Sequence, residues 1–460
     1  MCGVFAISGH PEAARLAYLG LHALQHRGQE SAGLIVAEGS SPNLKRHVAE
    51  GLVADVFDVG ALDRLRGDRA IGHVRYSTAG GSDIRNVQPM IAETGRGPIA
   101  IAHNGNLTNA LEMRAALESE GAIFASKSDT EIILHLLARA RAPRFQDRVR
   151  AALAQVTGAY SLLLLHEGTI IGLRDPSGFR PLVLGDLDGT PVLASETGAL
   201  ELIEAKFVRE IAPGEMVIID QHGVKTERLY HAPDEAPRAC IFELVYFARP
   251  DGRMFGNDVN DARFNMGQRL AAEAPVEADV VIPVPDSGTV AALGYAAASG
   301  LPFRHGLLRS HYVGRTFIEP SQQIRNFGVK LKLAAVRSIL EGRRVIVVDD
   351  SVVRGTTSRK IVKMIRDAGA KEVHLRISAP PTRWPCYYGI DTPNRDELIA
   401  ANHTIDAVRD FITADSLAYL SLESLHAAVG DEPAKQRFCN ACFSGKYSVP
   451  VEPGTSPRLP

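Results

Sequence analysis

The stretch Arg343 to Ser358, RRVIVVDDSVVRGTTS, limits the possible fold more than any other part of the chain. Val345 to Val348 are β-favouring and lack polar alternation, so they suit a strand buried on both faces, as in a parallel sheet covered by helices. Two acids follow, then a short loop in which Gly355, Thr356 and Thr357 stand where a helix begins. Backbone N–H groups at such a helix start favour a phosphate. Asp349 and Asp350 repel that phosphate and suit ribose hydroxyls and a Mg²⁺ ion instead. The bland alternative is a Rossmann-like strand end with an incidental Asp pair, although neither a Walker motif nor GxGxxG is present.

The same rhythm organises the C-terminal half. Asp279 to Val284, a helix from Thr289 to Ala298, Arg344 to Val348 and a helix from Thr356 to Ala368 predict parallel βαβ units. The N-terminal half differs. Strands at Ala159 to Leu165, Ile170 to Arg174, Leu182 to Leu184 and Val192 to Ala194 come in direct succession, which predicts antiparallel sheets. Helical patterns near Glu12 to Gln25, Leu107 to Ser119 and Asp129 to Ala140 predict layers covering them. The polar, two-proline stretch His231 to Arg238 divides a domain of residues 2–230 from one of residues 231–460. Tyr312 to Lys332, long and weakly periodic, predicts a mobile loop, and Pro450 to Pro460 a frayed tail.

Composition excludes several classes of function. With 45% hydrophobic and 23% charged residues and a net charge of -2, the 460-residue chain is ordinary for a globular protein and carries no basic surplus for nucleic acid. No apolar run approaches the roughly 18 to 20 residues that span a bilayer, and no secretory signal opens the chain. A cytoplasmic protein with no nucleic-acid or membrane partner is expected. In that reducing setting the five cysteines are thiols, metal ligands or nucleophiles.

Cys2 follows the initiator directly, and removal of Met1 is expected beside so small a residue. Cys2 then carries a thiol and an α-amine together, and the amine can take the thiol proton, so the pair suffices for covalent catalysis. An accidental strand cysteine explains position 2 equally well. Its companions decide. His103-Asn104-Gly105-Asn106, read as a turn closing the strand Ile99 to Ala102, offers an amide and a backbone N–H to an oxyanion. Arg75 and Asp129 supply the cation and anion that a zwitterion such as glutamine requires, though singly they read as a surface arginine and a helix cap.

MCGVF, QHRGQESAG, GHVRYST, HNGN and SKSDT together resemble the glutamine amidotransferase domain of the N-terminal nucleophile class. That resemblance implies an αββα sandwich with Cys2 as nucleophile, Asn104 and Gly105 as oxyanion hole, and Arg75 and Asp129 holding glutamine. The segment Val345 to Thr357, with VIPVPDSGTVAALGYA at Val281 to Ala296, resembles the phosphoribosyltransferases that use phosphoribosyl pyrophosphate. It implies an α/β domain with a mostly parallel sheet. Asp286, Ser287, Gly288, Asp349, Asp350, Arg354, Gly355, Thr356 and Thr357 are then the binding residues, and Ser287, Asp349 and Asp350 the ligands of one Mg²⁺ per subunit.

The two in this order resemble the amidophosphoribosyltransferase family. Its implied reaction passes ammonia from glutamine to phosphoribosyl pyrophosphate, giving 5-phosphoribosylamine, glutamate and pyrophosphate, the first committed step of de novo purine (IMP) biosynthesis. The family likeness further implies a homotetramer inhibited by purine nucleotides, with the Tyr312 to Lys332 loop closing over the substrate.

Four cysteines remain: Cys240, Cys386 and the pair Cys439 and Cys442. Four thiolates can close a zinc site or hold a 4Fe-4S cluster, and spacing alone does not choose, although two isolated ligands favour the cluster. The cluster-bearing branch of the family has cysteines in these contexts, which implies one 4Fe-4S cluster per subunit on all four, as a staple. Relatives of that branch often carry a short propeptide before the catalytic cysteine, where here only Met1 precedes it. A glucosamine-6-phosphate synthase or an asparagine synthetase would explain the first half but not VVDDSVVRGTT, and a regulatory RNA-binding protein lacks the basic surplus.

Overall fold

The computed structural model describes residues 1–76, 83–229, 237–310, 333–392, 394–431 and 436–451. Most of the expected boundary segment, all of the expected mobile loop and most of the expected tail lie outside the described residues.

The N-terminal half is built on β1 (Gly3–Ser8), β2 (Ser31–Ala37), β3 (Lys45–Glu50), β4 (Arg69–Arg75), β5 (Met90–Ala92), β6 (Ile99–Leu107) and β7 (Gly158–His166). Six more strands follow: β8 (Thr169–Arg174), β9 (Val183–Leu187), β10 (Thr190–Ala194), β11 (Lys206–Glu210), β12 (Glu215–Asp220) and β13 (Gly223–Arg228). They form a seven-stranded sheet in the order β11-β9-β10-β1-β4-β2-β3 and a six-stranded sheet in the order β13-β12-β8-β7-β6-β5. Neighbouring strands pair antiparallel, as predicted.

Burial parity explains how the sheets stack. Val4 and Ala6 of β1, Ile71 of β4, Ala100 and Ala102 of β6 and Leu163 and Leu165 of β7 share one core between the sheets. The alternate residues Phe5 and Ile7 pack with Ala17 and Leu21 of the helix Ala13–Ala23. On the other side Ile99, Ile101, Leu162 and Leu164 meet the helices Thr130–Arg139 and Phe145–Leu153. The result is the expected helix-sheet-sheet-helix sandwich, in which the central strands are apolar on both faces because both faces are covered.

In the C-terminal half the strands Val280–Pro283, Arg344–Asp349, Glu372–Ile377 and Ser416–Tyr419 lie in that order and are all parallel. Helices Thr289–Ser299 and Thr356–Asp367 follow the first two strands, within two residues of their predicted limits.

A buried ion network crosses between the halves. Arg27, 1% exposed, donates from Nη2 to Glu243 Oε1 at 2.8 Å and from Nη1 to Glu243 Oε2 at 3.0 Å. It also bonds Glu196, while Arg180 reaches Glu243 at 3.3 Å. Glu243 opens the π-helical turn Glu243–Phe247. Burial opposes the charge on Arg27, but Glu243 and Glu196 outweigh it and hold its pKa above the ordinary arginine value. Two cations and two anions thus balance in a dry site, where deleting one partner leaves an uncompensated charge. Glu243→Ala is therefore expected to destabilise the protein by about 3–5 kcal/mol, read as a lower denaturant midpoint.

Candidate active site

Strand parity places the groups predicted for glutamine chemistry. Cys2 continues the phase of Val4 and Ala6, and Arg75 that of Ile71, so both belong to the inter-sheet side of the first sheet. Asn104 continues the phase of Ala100 and Ala102 on the facing sheet. Cys2 is 7% exposed, and its Sγ lies 3.6 Å from the carbonyl oxygen of Tyr76. Arg27 Nε donates to the Cys2 carbonyl at 3.0 Å, so the ion network also holds the backbone of Cys2.

The HNGN segment is not the predicted turn. It lies inside β6, with Asn104 opposite Ser161 and Gly105 opposite Tyr160 of β7. Continued pairing overrides the local preference of Asn-Gly for a turn, and Gly105 fits because a Cβ there would meet the Ala159 carbonyl oxygen at 2.0 Å. Asn104 is wholly buried, and neither its amide oxygen nor its amide nitrogen has a hydrogen-bond partner among the described residues. A buried amide left unpaired is costly, and it has free donor capacity for a substrate oxygen.

Asp129 stands at the start of the helix Thr130–Arg139 and accepts the Leu107 N–H at 2.9 Å. Its Oδ1 is 3.7 Å from His103 Nδ1. Burial alone would raise the Asp129 pKa and lower that of His103, but their mutual attraction wins in both, so the carboxyl is lowered and the imidazole raised. His73, donating to the His103 carbonyl at 3.0 Å, is instead pushed down to about 3 by burial and stays neutral.

At the other end, Asp349 and Asp350 close the second strand of the parallel sheet and are 8% and 6% exposed. Burial raises both carboxyls, and Asp350 pushes Asp349 well above the usual range, whereas hydrogen bonds from Ser287 and Ser351 restrain Asp350. Gly288 brings the Asp286–Gly288 loop against this strand end: a Cβ there would meet the Val348 carbonyl oxygen at 2.4 Å and the Asp349 Cα at 3.2 Å. Thr356 and Thr357 begin their helix as predicted. Arg354 points to Glu397, with bonds of 3.0 and 2.8 Å.

The four remaining cysteines come together. Cys240 and Cys439 sit opposite each other in a two-residue parallel pairing, and Cys386 and Cys442 join the same core. The Tyr388 N–H donates to Cys386 Sγ at 3.3 Å. Burial raises the Cys442 thiol well above its ordinary value, and Cys240, Cys386 and Cys439 raise it further. Among the described residues no group of three or more His, Cys, Asp or Glu side chains is arranged to hold a single metal ion.

One cavity of about 570 Å³ reaches from residues neighbouring Cys2 to the transferase loop, although Cys2, Arg75, Asn104, Gly105 and Asp129 do not themselves line it. Met1, His26 and Arg27 line it beside Cys2, and Ser287, Asp349 and Asp350 line it at the transferase loop. Phe242, just before the π-helical turn, and Tyr246 and Phe247 within it also line the cavity. A cavity of about 550 Å³ on the glutaminase half, lined by Arg46, Ile91, Ser126 and His135, contains none of the predicted nucleophilic or phosphate-binding groups.

Comparison with known proteins agrees with both ends. A family model described as a glutamine amidotransferase domain matches residues 73–202. Amidophosphoribosyltransferase 2, chloroplastic, of Arabidopsis thaliana is 54% identical over 453 residues, which cover 98% of this chain and 80% of that protein. The amidophosphoribosyltransferase of Bacillus subtilis is 48% identical over 98% of this chain and 94% of its own length. The chain belongs to the amidophosphoribosyltransferase family. The solved B. subtilis glutamine phosphoribosylpyrophosphate amidotransferase, complexed with ADP and GMP, matches at a TM-score of 0.93 and 46% identity, covering 99% of each chain. No helix among the described residues is long and apolar enough to cross a membrane.

Sequence reasoning missed the roles of Arg27, Glu196, Glu243 and His103. Arg27 lay in plain view inside QHRGQESAG, but its partners are distant in sequence. The Asp129–His103 pair gives a direct check. Because Asp129 is what lifts His103, Asp129→Asn is expected to bring the His103 pKa below 6.5, measured by NMR titration of labelled histidine. The sign for stability follows: the raised imidazole stabilises the fold below its unfolded pKa, and that contribution is lost as pH rises through the folded value.

Proposed function

We propose that this amidophosphoribosyltransferase runs its two half-reactions at the two ends of the shared cavity. Residues 2–230 form the glutaminase and residues 231–460 the transferase. The overall reaction converts glutamine, phosphoribosyl pyrophosphate and water to 5-phosphoribosylamine, glutamate and pyrophosphate, opening de novo purine synthesis. The observation that carries the assignment of roles is the unpaired, buried Asn104 amide on the same inter-sheet side as Cys2.

Cys2 needs a free α-amine, and while Met1 is attached that nitrogen is an amide, so removal of Met1 comes first. The amine then takes the thiol proton, and the sulfur adds to the glutamine side-chain carbonyl carbon. Charge develops on the carbonyl oxygen, which Asn104 and the Gly105 N–H receive. Arg75 holds the substrate carboxylate and Asp129 its ammonium. Collapse releases ammonia and leaves a thioester that water hydrolyses to glutamate. Ammonia crossing a closed cavity avoids protonation to unreactive ammonium.

At the far end Gly355, Thr356 and Thr357 hold the 5-phosphate, Asp349 and Asp350 the ribose hydroxyls, and Asp286 to Gly288 the pyrophosphate side. Arg354 assists once it leaves Glu397. Ser287, Asp349 and Asp350 would hold Mg²⁺: an all-oxygen set suits this ion, and a cation removes the repulsion that raises both carboxyls. When bound, it supplies charge compensation for the departing pyrophosphate.

Cys240, Cys386, Cys439 and Cys442 would hold a 4Fe-4S cluster. Three buried thiols and the partly buried Cys439, gathered in one core with Cys386 accepting an N–H bond, fit such a ligand set. The cluster would join three separate chain segments. We also propose a cytoplasmic homotetramer; its inhibition by purine nucleotides is supported by the ADP and GMP of the B. subtilis structure.

Cys2→Ala is expected to abolish glutamine-dependent synthesis while ammonia-dependent synthesis stays within about twofold of wild type. Asp349→Asn is expected to lower both. If Cys2→Ala kept glutamine-dependent turnover, the mechanism would be wrong. Anaerobically purified protein is expected to be brown with about four iron atoms per chain; a colourless, fully active protein with zinc and no iron would refute the cluster.

A further inference from the structure

Gly105 is enclosed from two sides. On its own sheet the Ala159 carbonyl oxygen leaves no room for a side chain. On the other side stands Gly389, whose added Cβ would come within 3.0 Å of the Gly105 Cα and carbonyl carbon and 3.3 Å of its oxygen. Gly389 has φ +102°, a left-handed conformation that glycine adopts without strain, so both shape and conformation exclude a side chain there. The next residue of β6 adds a polar tie: Asn106 Nδ2 donates to the Tyr387 carbonyl at 3.1 Å.

The Tyr387–Gly389 segment is itself firmly held. The Cys386 N–H donates to Thr392 Oγ1 at 2.7 Å, and the Tyr388 hydroxyl donates to the Val449 carbonyl at 2.7 Å. The Tyr388 ring stacks on Phe179 with centroids 4.2 Å apart and planes 22° from parallel. By contrast, the Asn104 side chain has no hydrogen bond among the described residues to set its height. Its position comes from the backbone of β6 and from whatever presses on that backbone. An oxyanion donor displaced by a fraction of an ångström loses much of its effect.

We propose that the Tyr387–Gly389 segment, which follows the transferase-half Cys386, is a positioning element for the glutaminase: it presses on Gly105 and ties Asn106, fixing the oxyanion donors against Cys2. The proposal rests on the assignment of Asn104 and Gly105 as those donors. Neither Gly389 nor Asn106 touches the reacting atoms; both act through β6.

Three variants of the full-length protein test it. Asn104→Ala checks the underlying assignment and is expected to lower the glutaminase kcat by about 10²–10³-fold. Gly389→Ala is expected to lower kcat about tenfold or more, with the KM for glutamine and ammonia-dependent synthesis both within about twofold of wild type. Asn106→Asp replaces the donor with an acceptor facing the Tyr387 carbonyl and adds no Cβ, so it reports even if Gly389→Ala does not fold. It is expected to show the same split.

A second readout is inhibition by the γ-aldehyde analogue of glutamine. The Cys2 sulfur adds to the aldehyde carbon and the thiol proton passes to the amine, leaving an oxyanion in the hole. Its inhibition constant is expected to rise by the factor that kcat falls, while inhibition by glutamate stays unchanged. A purely structural defect would move both. Wild-type kcat and aldehyde affinity in both brace variants, with Asn104→Ala impaired, would overturn the brace alone. An unimpaired Asn104→Ala would overturn the assignment beneath it, and an equal loss of ammonia-dependent synthesis in Asn106→Asp would overturn the claim of positioning.

Discussion

Arg27 ties the backbone of Cys2, the proposed nucleophile, to both halves of the molecule. Its Nε holds the Cys2 carbonyl, and its other nitrogens meet Glu196 and Glu243. In the absence of water this arrangement tolerates little displacement, because a guanidinium that loses one carboxylate finds no other partner of equal strength. Glu196 is held to about 2 by His26 and Arg27 against the opposing effect of burial, so it stays charged through the whole physiological range. The backbone of Cys2, the proposed nucleophile, is thus held by a buried charged group.

The same network bears on the cavity proposed to serve both half-reactions. Glu243 opens the π-helical turn whose Tyr246 and Phe247, together with the preceding Phe242, line the cavity that reaches the transferase loop. Ionic attachment at one end of the turn orients an aromatic wall at the other. A route for a small neutral molecule needs apolar lining with few competing hydrogen-bond groups, and aromatic rings supply it.

Much of this was legible in the residues, for identifiable reasons. Val345 to Val348 could only be a doubly covered strand, and Gly355-Thr356-Thr357 could only begin a helix, so the transferase loop was readable to within a residue. HNGN was misread as a turn because Asn-Gly is judged locally, whereas its conformation depends on continuous pairing with β7, 55 residues further along where Gly105 meets Tyr160. The Arg27 network and the π-helical turn have no local signature: the partners of Arg27 lie 169 and 216 residues away. The cysteines were readable as a set because thiols are few, but their convergence depends on a two-residue pairing that no propensity foretells.

Strand β1 carries a less obvious consequence. Both of its faces are apolar, so nothing polar tells Phe5 and Ile7 from Val4 and Ala6. What separates them is bulk. Phe5 fills the space above Gly20, where a Cβ would stand 2.3 Å from the ring, while Val4 and Ala6 pack in the core between the sheets. A slip of one position would turn the thiol toward the helices and leave almost as much oil buried. Reactivity at the end of this strand is therefore gauged by side-chain volume several residues away, and swelling Ala6 would misdirect the sulfur without touching it.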